Sequence, residues 1–204
     1  MLTVVFDLGD VLVSRTDQLA QVAELTGVAI GHAQYWAPRA RYDAGISDLE
    51  YWSQVFEPFG TPMDANLAAT LGRADAEMWA HIRPEAWAIL ADLHRAGTSI
   101  HILSNAPASM GPAIDRSPWR TFIGERFISG ELGVVKPHPG IYDHVEAALG
   151  LPPSDLAFID DRPDNLEVPA SRGWTTHLWV SDADTRAWLE TLGMLPPSVD
   201  DVAP

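Results

Sequence analysis

The sequence predicts an α/β fold in which a parallel sheet lies between two layers of helices and a helical insertion follows the first strand. From residue 84 onward, short apolar runs alternate with helical patterns, and this alternation is typical of a parallel sheet. Most of the runs lack apolar/polar alternation, as expected for strands that are covered on both faces. Residues 15–83 show helical patterns and no convincing strand, which places the insertion there.

Five apolar runs are predicted to form the strands, and each is bounded by residues typical of turns or caps. In chain order they are residues 3–6, 99–103, 126–129, 156–159 and 175–180. Four helices are predicted beyond the insertion, at residues 84–96, 139–149, 164–172 and 184–192. Each of these helices is followed by glycine, and the first two begin with proline, which are typical residues of helix ends.

The insertion itself carries helix signals. Asp17 opens a helical stretch that ends at Gly27, and Ser47 with Glu50 has the pattern of a capping box ahead of Trp52. We therefore expect an α/β core at residues 1–14 and 84–193 and a helical cap at residues 15–83. Residues 194–204 hold three prolines, and we expect a flexible tail there.

The chain is strongly acidic: 13 Lys and Arg against 28 Asp and Glu give a formal net charge of −15 over 204 residues. Such a charge repels phosphate backbones and anionic lipid, so neither nucleic acid nor a membrane is an expected partner. The sequence has no cysteine, which excludes disulfides and thiolate metal sites. It shows neither a targeting pattern at its start nor an apolar run of about 20 residues, and we expect a soluble, cytoplasmic protein.

Polar residues follow four of the apolar segments. In an open parallel sheet the ligand lies outside the carboxyl ends of the strands, where this chain brings Asp7, Ser104, Asn105, Lys136, Asp160 and Asp161. Carboxylates gathered in one place repel each other unless a divalent cation lies among them, and oxygen ligands indicate Mg²⁺. A lysine beside such a metal suits a phosphoryl group, whose negative charge needs stabilisation during transfer. The pattern predicts a metal-assisted site for phosphate hydrolysis.

In their order along the chain, these segments resemble the haloacid dehalogenase superfamily of hydrolases with a helical cap after the first motif. The resemblance runs from Val4 to about Trp179. Residues 7–11 (Asp-Leu-Gly-Asp-Val), residues 43–47 of the cap, and Asp160-Asp161 with Asn165 are similar to the sugar-phosphate phosphatase branch. That branch includes glucose-1-phosphate phosphatase and is similar to the N-terminal phosphatase domain of epoxide hydrolases. The resemblance implies a Rossmann-like core and Mg²⁺-dependent hydrolysis of small phosphorylated metabolites.

The resemblance also implies a role for each residue of the site. Asp7 is the implied nucleophile, which forms an aspartyl-phosphate, and Lys136 is implied to neutralise it and the phosphoryl oxygens. Ser104 and Asn105 are implied to hold the phosphate, and Asn165 to orient its loop. The implied Mg²⁺ ligands are Asp7, the backbone carbonyl of Gly9, Asp161 directly, and Asp160 through a water.

One position departs from the superfamily pattern. Most phosphatases of the superfamily carry a second aspartate two residues after the nucleophile, which protonates the leaving oxygen. Here that position is Gly9, which has no proton to give. The sugar-phosphate phosphatases named above share this glycine, and we expect slow turnover or a good leaving group such as an anomeric phosphate.

Residues of the insertion are candidates for substrate contact. Arg39, Arg41 and Tyr42 are expected to face the site from the cap and bind the leaving group. The tryptophans at helical spacing (Trp52, Trp79, Trp87 and Trp188) are expected to pack in the core or cap instead.

Two alternative functions remain open at this point. A carbon–halogen hydrolase also uses an aspartate nucleophile without a second acid, but it needs no metal, and Asp160-Asp161 argues against it. A non-catalytic interaction protein is the other alternative, motivated by Gly9. Substrate selectivity in capped enzymes resides in loop geometry, which no motif encodes.

Overall fold

A five-stranded, wholly parallel sheet forms the centre of the molecule. The computed structural model describes residues 2–14 and 18–196. The strands are β1 (Thr3–Phe6), β2 (Ile100–Ser104), β3 (Arg126–Ile128), β4 (Leu156–Asp160) and β5 (Thr175–Leu178). Their order across the sheet is β3-β2-β1-β4-β5. The first strand is therefore central, and its neighbours on both sides come from much later in the chain.

Helices occupy the connections between the strands. Between β1 and β2 lie α1 (Gln18–Thr26), α2 (His32–Trp36), α3 (Arg39–Asp43), α4 (Asp48–Phe56), α5 (Ala65–Trp79) and α6 (Pro84–Arg95). The later helices are α7 (Met110–Arg116), α8 (Ser129–Leu132), α9 (Pro139–Leu149), α10 (Pro163–Arg172) and α11 (Asp182–Thr191). Short 3₁₀ turns lie at Glu57–Phe59, Pro118–Phe122 and Pro153–Asp155.

The two faces of the sheet bury different side chains, which gives the core three layers. Val4 and Phe6 of β1 pack in a cluster with residues of α6, α7 and α11. Val5 points the other way, into a cluster with Tyr142 of α9 and Leu166 of α10. Because successive side chains of a strand alternate between faces, a strand buried on both sides reads as a continuous apolar run, and the predicted α/β fold is confirmed.

Helices α1 to α5, called the cap below, enclose an aromatic cluster of their own. Tyr35, Tyr42, Tyr51, Trp52 and Phe56 are buried in it, and the rings of Tyr42 and Tyr51 stack with centroids 4.0 Å apart. The backbone amide of Glu50 donates to the Ser47 hydroxyl over 3.1 Å. The Glu50 carboxylate pairs with Arg41 instead of completing the capping box.

The five predicted strands are present, with ends that differ from the predicted ones by up to two residues. The helices α2, α3, α7 and α8, of four to seven residues each, were not predicted individually. Met194 and Leu195, placed in the tail by the sequence, are buried in the core, whereas 197–204 and Asp17 lie outside the described residues. Among the described helices, none combines the length and apolar character needed to cross a bilayer.

The packing of β2 in the core can be tested by removing a single methyl group. Ile102 is fully buried on β2, and we expect Ile102→Val to lower the free energy of unfolding by about 1 kcal/mol because it leaves a small cavity. Val180, which is 63% exposed, provides the control: Val180→Ala changes stability by less than about 0.5 kcal/mol. Urea denaturation measures both, and equal stabilities of the two variants would contradict this packing.

Candidate active site

The polar residues predicted from the sequence converge at the carboxyl edge of the sheet. Adjacent strands β2, β1 and β4 end beside one another, and Ser104, Asp7 and Asp160 lie at or just after their ends. A cavity of about 390 Å³ opens above this edge. The side of the cavity formed by the sheet edge is called the floor. It includes six of the predicted residues: Asp7, Gly9, Ser104, Asn105, Lys136 and Asp161.

The Lys136 ammonium is the centre of this site. Its Nζ lies 2.9 Å from Asp7 Oδ1 and 2.7 Å from Asp160 Oδ2, and it donates to the Leu103 carbonyl over 2.9 Å. A lysine has three N–H donors, so all three are used. The ammonium thereby joins the ends of β1, β2 and β4.

Asp160 is fully buried and is surrounded by donors. Besides Lys136, its carboxylate accepts hydrogen bonds from the Arg162 backbone amide over 2.9 Å and from the Asn165 side-chain amide over 3.0 and 3.1 Å. Asn165 therefore binds Asp160 directly and links the first turn of α10 to the end of β4.

Asn105 holds Lys136 through the backbone. The Asn105 side-chain amide donates to the Lys136 carbonyl over 2.9 Å, and its oxygen accepts from the Lys136 backbone amide over 2.8 Å. This reciprocal pair fixes the loop that carries the lysine. Ser104 is buried at the end of β2 and lines the cavity.

The three acids fit a divalent cation. Asp7, Asp160 and Asp161 each offer a carboxylate oxygen within 4.8 Å of the other two. One ammonium does not balance three clustered carboxylates, and a donor set made only of oxygen is the set that Mg²⁺ prefers. Asp161 is the most accessible of the three, while Asp160 already has several protein donors.

Electrostatics at the site show the same excess of negative charge. Burial raises the pKa of Asp7 to about 7, against the lowering effect of Lys136, and Asp160 raises it further. Burial and the nearby Asp160 also raise the pKa of Asp161. Burial by itself lowers the pKa of Lys136, but Asp7 and Asp160 outweigh it and the net pKa lies above its usual value.

The cap forms the opposite wall of the cavity. Trp36, Arg39, Asp43 and Trp79 line it, so Arg39 faces the cavity as expected, and its contact with a leaving group stays a prediction. The expectation for Arg41 and Tyr42 is wrong. Arg41 points outward to Glu50 and Gln54, and the Tyr42 hydroxyl is engaged with Asp48.

Arg39 is held rigidly by charge and by aromatic rings. Its Nη1 donates to Asp75 Oδ2 over 3.1 Å and to the Tyr35 hydroxyl over 2.5 Å. Its guanidinium carbon lies 5.5 to 5.9 Å from four ring centroids, which are those of Tyr35, Trp36, Tyr42 and Trp79. Burial works to lower the pKa of Arg39, but Asp75 and Asp43 keep it well above its usual value.

Sequence reasoning gave Asp43 no role in the site, although Asp43 begins the cap stretch that carries the resemblance, and it missed Asp75 and the place of Trp79 in the cavity wall. A signal for Asp75 was available, because it lies on the buried stripe of α5, four residues from both Leu71 and Trp79. An acid on such a stripe needs a buried partner, and Arg39 is that partner.

Together, the parallel sheet, the helical insertion after β1 and the carboxylate–lysine cluster define a capped α/β hydrolase. The family model of haloacid dehalogenase-like hydrolases matches residues 1–171. The chain belongs to this family, and the predicted superfamily is confirmed.

Two curated relatives match parts of the chain at low sequence identity. A phosphoserine phosphatase of Thermus thermophilus is 27% identical over 164 residues, covering 74% of this chain and 66% of the relative. Flavin mononucleotide hydrolase 1 of Arabidopsis thaliana is 34% identical over 74 residues, covering 36% of this chain and 30% of the relative. The matches therefore span less than two thirds of these relatives.

Solved structures share the fold. A mutant HAD family enzyme of Bacteroides thetaiotaomicron, in complex with magnesium and inorganic phosphate, has a TM-score of 0.68 at 20% identity, over 87% of this chain and 93% of that one. The L-2-haloacid dehalogenase of Xanthobacter autotrophicus, with chloropropionic acid covalently bound, has a TM-score of 0.63 at 22% identity, over 96% and 85%.

The contribution of the Lys136 cluster to the free energy of unfolding can be measured directly. Lys136→Met removes the ammonium and leaves two buried carboxylates without their cation, so we expect the free energy of unfolding to fall by about 3–5 kcal/mol. Arg95→Met is the control, because Arg95 is 75% exposed in its pair with Asp92 and such pairs contribute less than about 1 kcal/mol. Denaturation of both in urea, without added metal, tests this; a Lys136→Met protein as stable as the parent contradicts it.

Proposed function

We propose that the protein is a Mg²⁺-dependent phosphatase that hydrolyses small phosphomonoesters through an aspartyl-phosphate on Asp7. The observation that carries the proposal is the placement of Asp7 on the cavity floor, 2.9 Å from the buried Lys136 ammonium and within the same carboxylate cluster as Asp161. The cluster combines a nucleophile, a fixed positive charge and a cation site, as phosphoryl transfer requires.

Asp7 is oriented for attack by its neighbours. Its Oδ1 accepts from the Leu8 backbone amide over 2.7 Å and faces Lys136. Among the described residues, these contacts engage Oδ1 alone, so Oδ2 is the oxygen that attacks phosphorus. Lys136 favours the ionised form of the Asp7 carboxylate and holds it in position, and Ser104 supplies a hydroxyl for the phosphoryl oxygens.

Asp7, Asp161 and the Gly9 carbonyl would hold Mg²⁺ directly, and Asp160 would hold it through a water. When bound, Mg²⁺ supplies positive charge for the phosphoryl oxygens and offsets the repulsion among the three acids. Asn105 supports the site from behind, since its amide keeps the Lys136 loop in place.

The relatives support this chemistry. One curated relative is named a phosphoserine phosphatase and another a flavin mononucleotide hydrolase, and a structure with the same fold was determined with magnesium and inorganic phosphate. One structural neighbour is named an L-2-haloacid dehalogenase, so carbon–halogen hydrolysis is the competing function. The cluster of three acids disfavours it. A cavity of about 390 Å³ suits a small metabolite.

Phosphate release from a panel of phosphosugars, nucleotides and phospho-acids tests the proposal. We expect release by the parent protein with Mg²⁺ and none with EDTA, and loss of all release in Asp7→Asn, because an amide cannot form the aspartyl-phosphate. Asp143→Asn, an equivalent change at an exposed ion pair on α9, keeps the parental rate. Undiminished release by Asp7→Asn removes the mechanism, and halide release from 2-chloropropionate in EDTA would favour the dehalogenase instead.

Metal binding can be followed without turnover. We expect Mg²⁺ to raise the thermal unfolding midpoint of the parent protein, because a cation that binds only the folded chain stabilises it. Asp161→Asn removes a ligand and should abolish most of this rise, whereas Asp164→Asn, at a side chain that is 68% exposed, should leave it intact. An equal rise in all three proteins would contradict a Mg²⁺ site at Asp161.

A further inference from the structure

Carboxylic acids line both the floor and the cap side of the cavity, and the acid on the cap side is Asp43. The floor holds the candidate nucleophile and cation ligands, while the cap side contributes Trp36, Arg39, Ala40, Asp43 and Trp79. Among these described cap residues, Asp43 is the only carboxylic acid. When Asp7 attacks phosphorus in line, the leaving group departs on the side opposite Asp7. That side faces the cap wall, where Asp43 lies.

The backbone of Asp43 is hydrogen-bonded to the core close to Ser104 and Asn105. Its carbonyl accepts from the Ser129 hydroxyl over 2.5 Å, and the same hydroxyl oxygen accepts from the Ala106 backbone amide over 2.9 Å. Ala106 directly follows Ser104 and Asn105. Two residues after Asp43, a Cβ at Gly45 would lie 3.0 Å from the Gly130 carbonyl, so the cap backbone touches the core here. The position of Asp43 is thus set relative to the site.

The side chain of Asp43 is anchored at one oxygen only. Arg39 Nε donates to its Oδ1 over 2.8 Å, and the described residues provide Oδ2 with no hydrogen-bond partner. The side chain is 18% exposed and lines the cavity. Burial raises the pKa of Asp43, with a further increase from Asp75, while Arg39 opposes it. The group therefore holds a proton more readily than an exposed aspartate does.

Release of an alcohol from a phosphomonoester needs a proton donor near the ester oxygen. We propose that Asp43, from the cap, is the general acid and base of the reaction, an assignment that rests on the proposed phosphatase function. As Asp7 Oδ2 bonds to phosphorus, the bond between phosphorus and the ester oxygen breaks, and its electron pair takes the proton of Asp43, which releases the neutral alcohol. The Asp43 carboxylate then accepts a proton from the water whose oxygen bonds to phosphorus, and the bond between phosphorus and Asp7 Oδ2 breaks. Its electron pair returns to the Asp7 carboxylate, phosphate leaves, and both aspartates are back in their starting forms.

A matched pair of aryl esters tests the assignment. Phenyl phosphate releases a phenol with a pKa of about 10, which needs a proton as it leaves, whereas 2,4-dinitrophenyl phosphate releases a stable anion. We expect Asp43→Asn to lower kcat/KM for phenyl phosphate by about 100-fold and to leave that for 2,4-dinitrophenyl phosphate within about threefold. The ratio kcat/KM reports the step in which the leaving group departs. Asparagine still accepts from Arg39, so the cap is expected to keep its structure, and unchanged turnover of the dinitrophenyl ester verifies this.

Three results overturn the assignment. An equal loss on both esters makes Asp43 a structural or positioning residue, and no loss on either removes it from the reaction. A loss confined to phenyl phosphate in Asp10→Asn, another cavity-lining acid, in place of Asp43→Asn would move the role to Asp10. Turnover of neither ester by the parent protein with Mg²⁺ would instead overturn the proposed phosphatase function, and the inference with it. Asp143→Asn again serves as the matched control.

Discussion

The buried ammonium of Lys136 is the interaction on which the rest of the site depends. It contacts groups at the ends of three adjacent strands, namely Asp7, Leu103 and Asp160, so the sheet order decides which groups it can reach. Two acids and a lysine with almost no access to water would each be costly to bury alone. In combination with the donors from Asn165 and the Arg162 backbone, they form a connected polar network in an otherwise apolar core. The network leaves an excess of negative charge on the cavity side, where a cation fits.

The cap repeats this arrangement, again with one buried cation between two acids. There a single buried arginine, Arg39, lies among aromatic rings and pairs with Asp75 and Asp43. Asp75 is completely buried and serves the interior of the cap, whereas Asp43 retains contact with the cavity. The cavity is therefore enclosed by two rigid ionic clusters, one on the sheet edge and one on the cap. Under the proposed function, a substrate between them would place its phosphate toward the lysine and its organic part toward the aromatic wall.

Much of the core could be predicted because each strand is a short, unbroken apolar run, and because the polar residues that follow the strands meet at one edge. Once the strand order is known, the seven proposed site residues are expected at the same edge of the sheet. The short helices of the cap could not be predicted from periodicity, since α2 and α3 have five residues each, too few for an apolar stripe. The pairing of Arg39 with Asp75 was equally hidden, because the two are 36 residues apart in sequence. Arg41, two positions after Arg39, carries the same charge but lies on the outside.

The Ser129 hydroxyl links the cap to the core through two hydrogen bonds. It donates to the carbonyl of Asp43 on the cap and accepts from the amide of Ala106, which follows Ser104 and Asn105 at the end of β2. Any movement that lifts α3 from the core has to break the first of these bonds while the second still restrains the serine. Under the proposed function, the lifetime of this one hydrogen bond would contribute to how long phosphate and the alcohol remain enclosed.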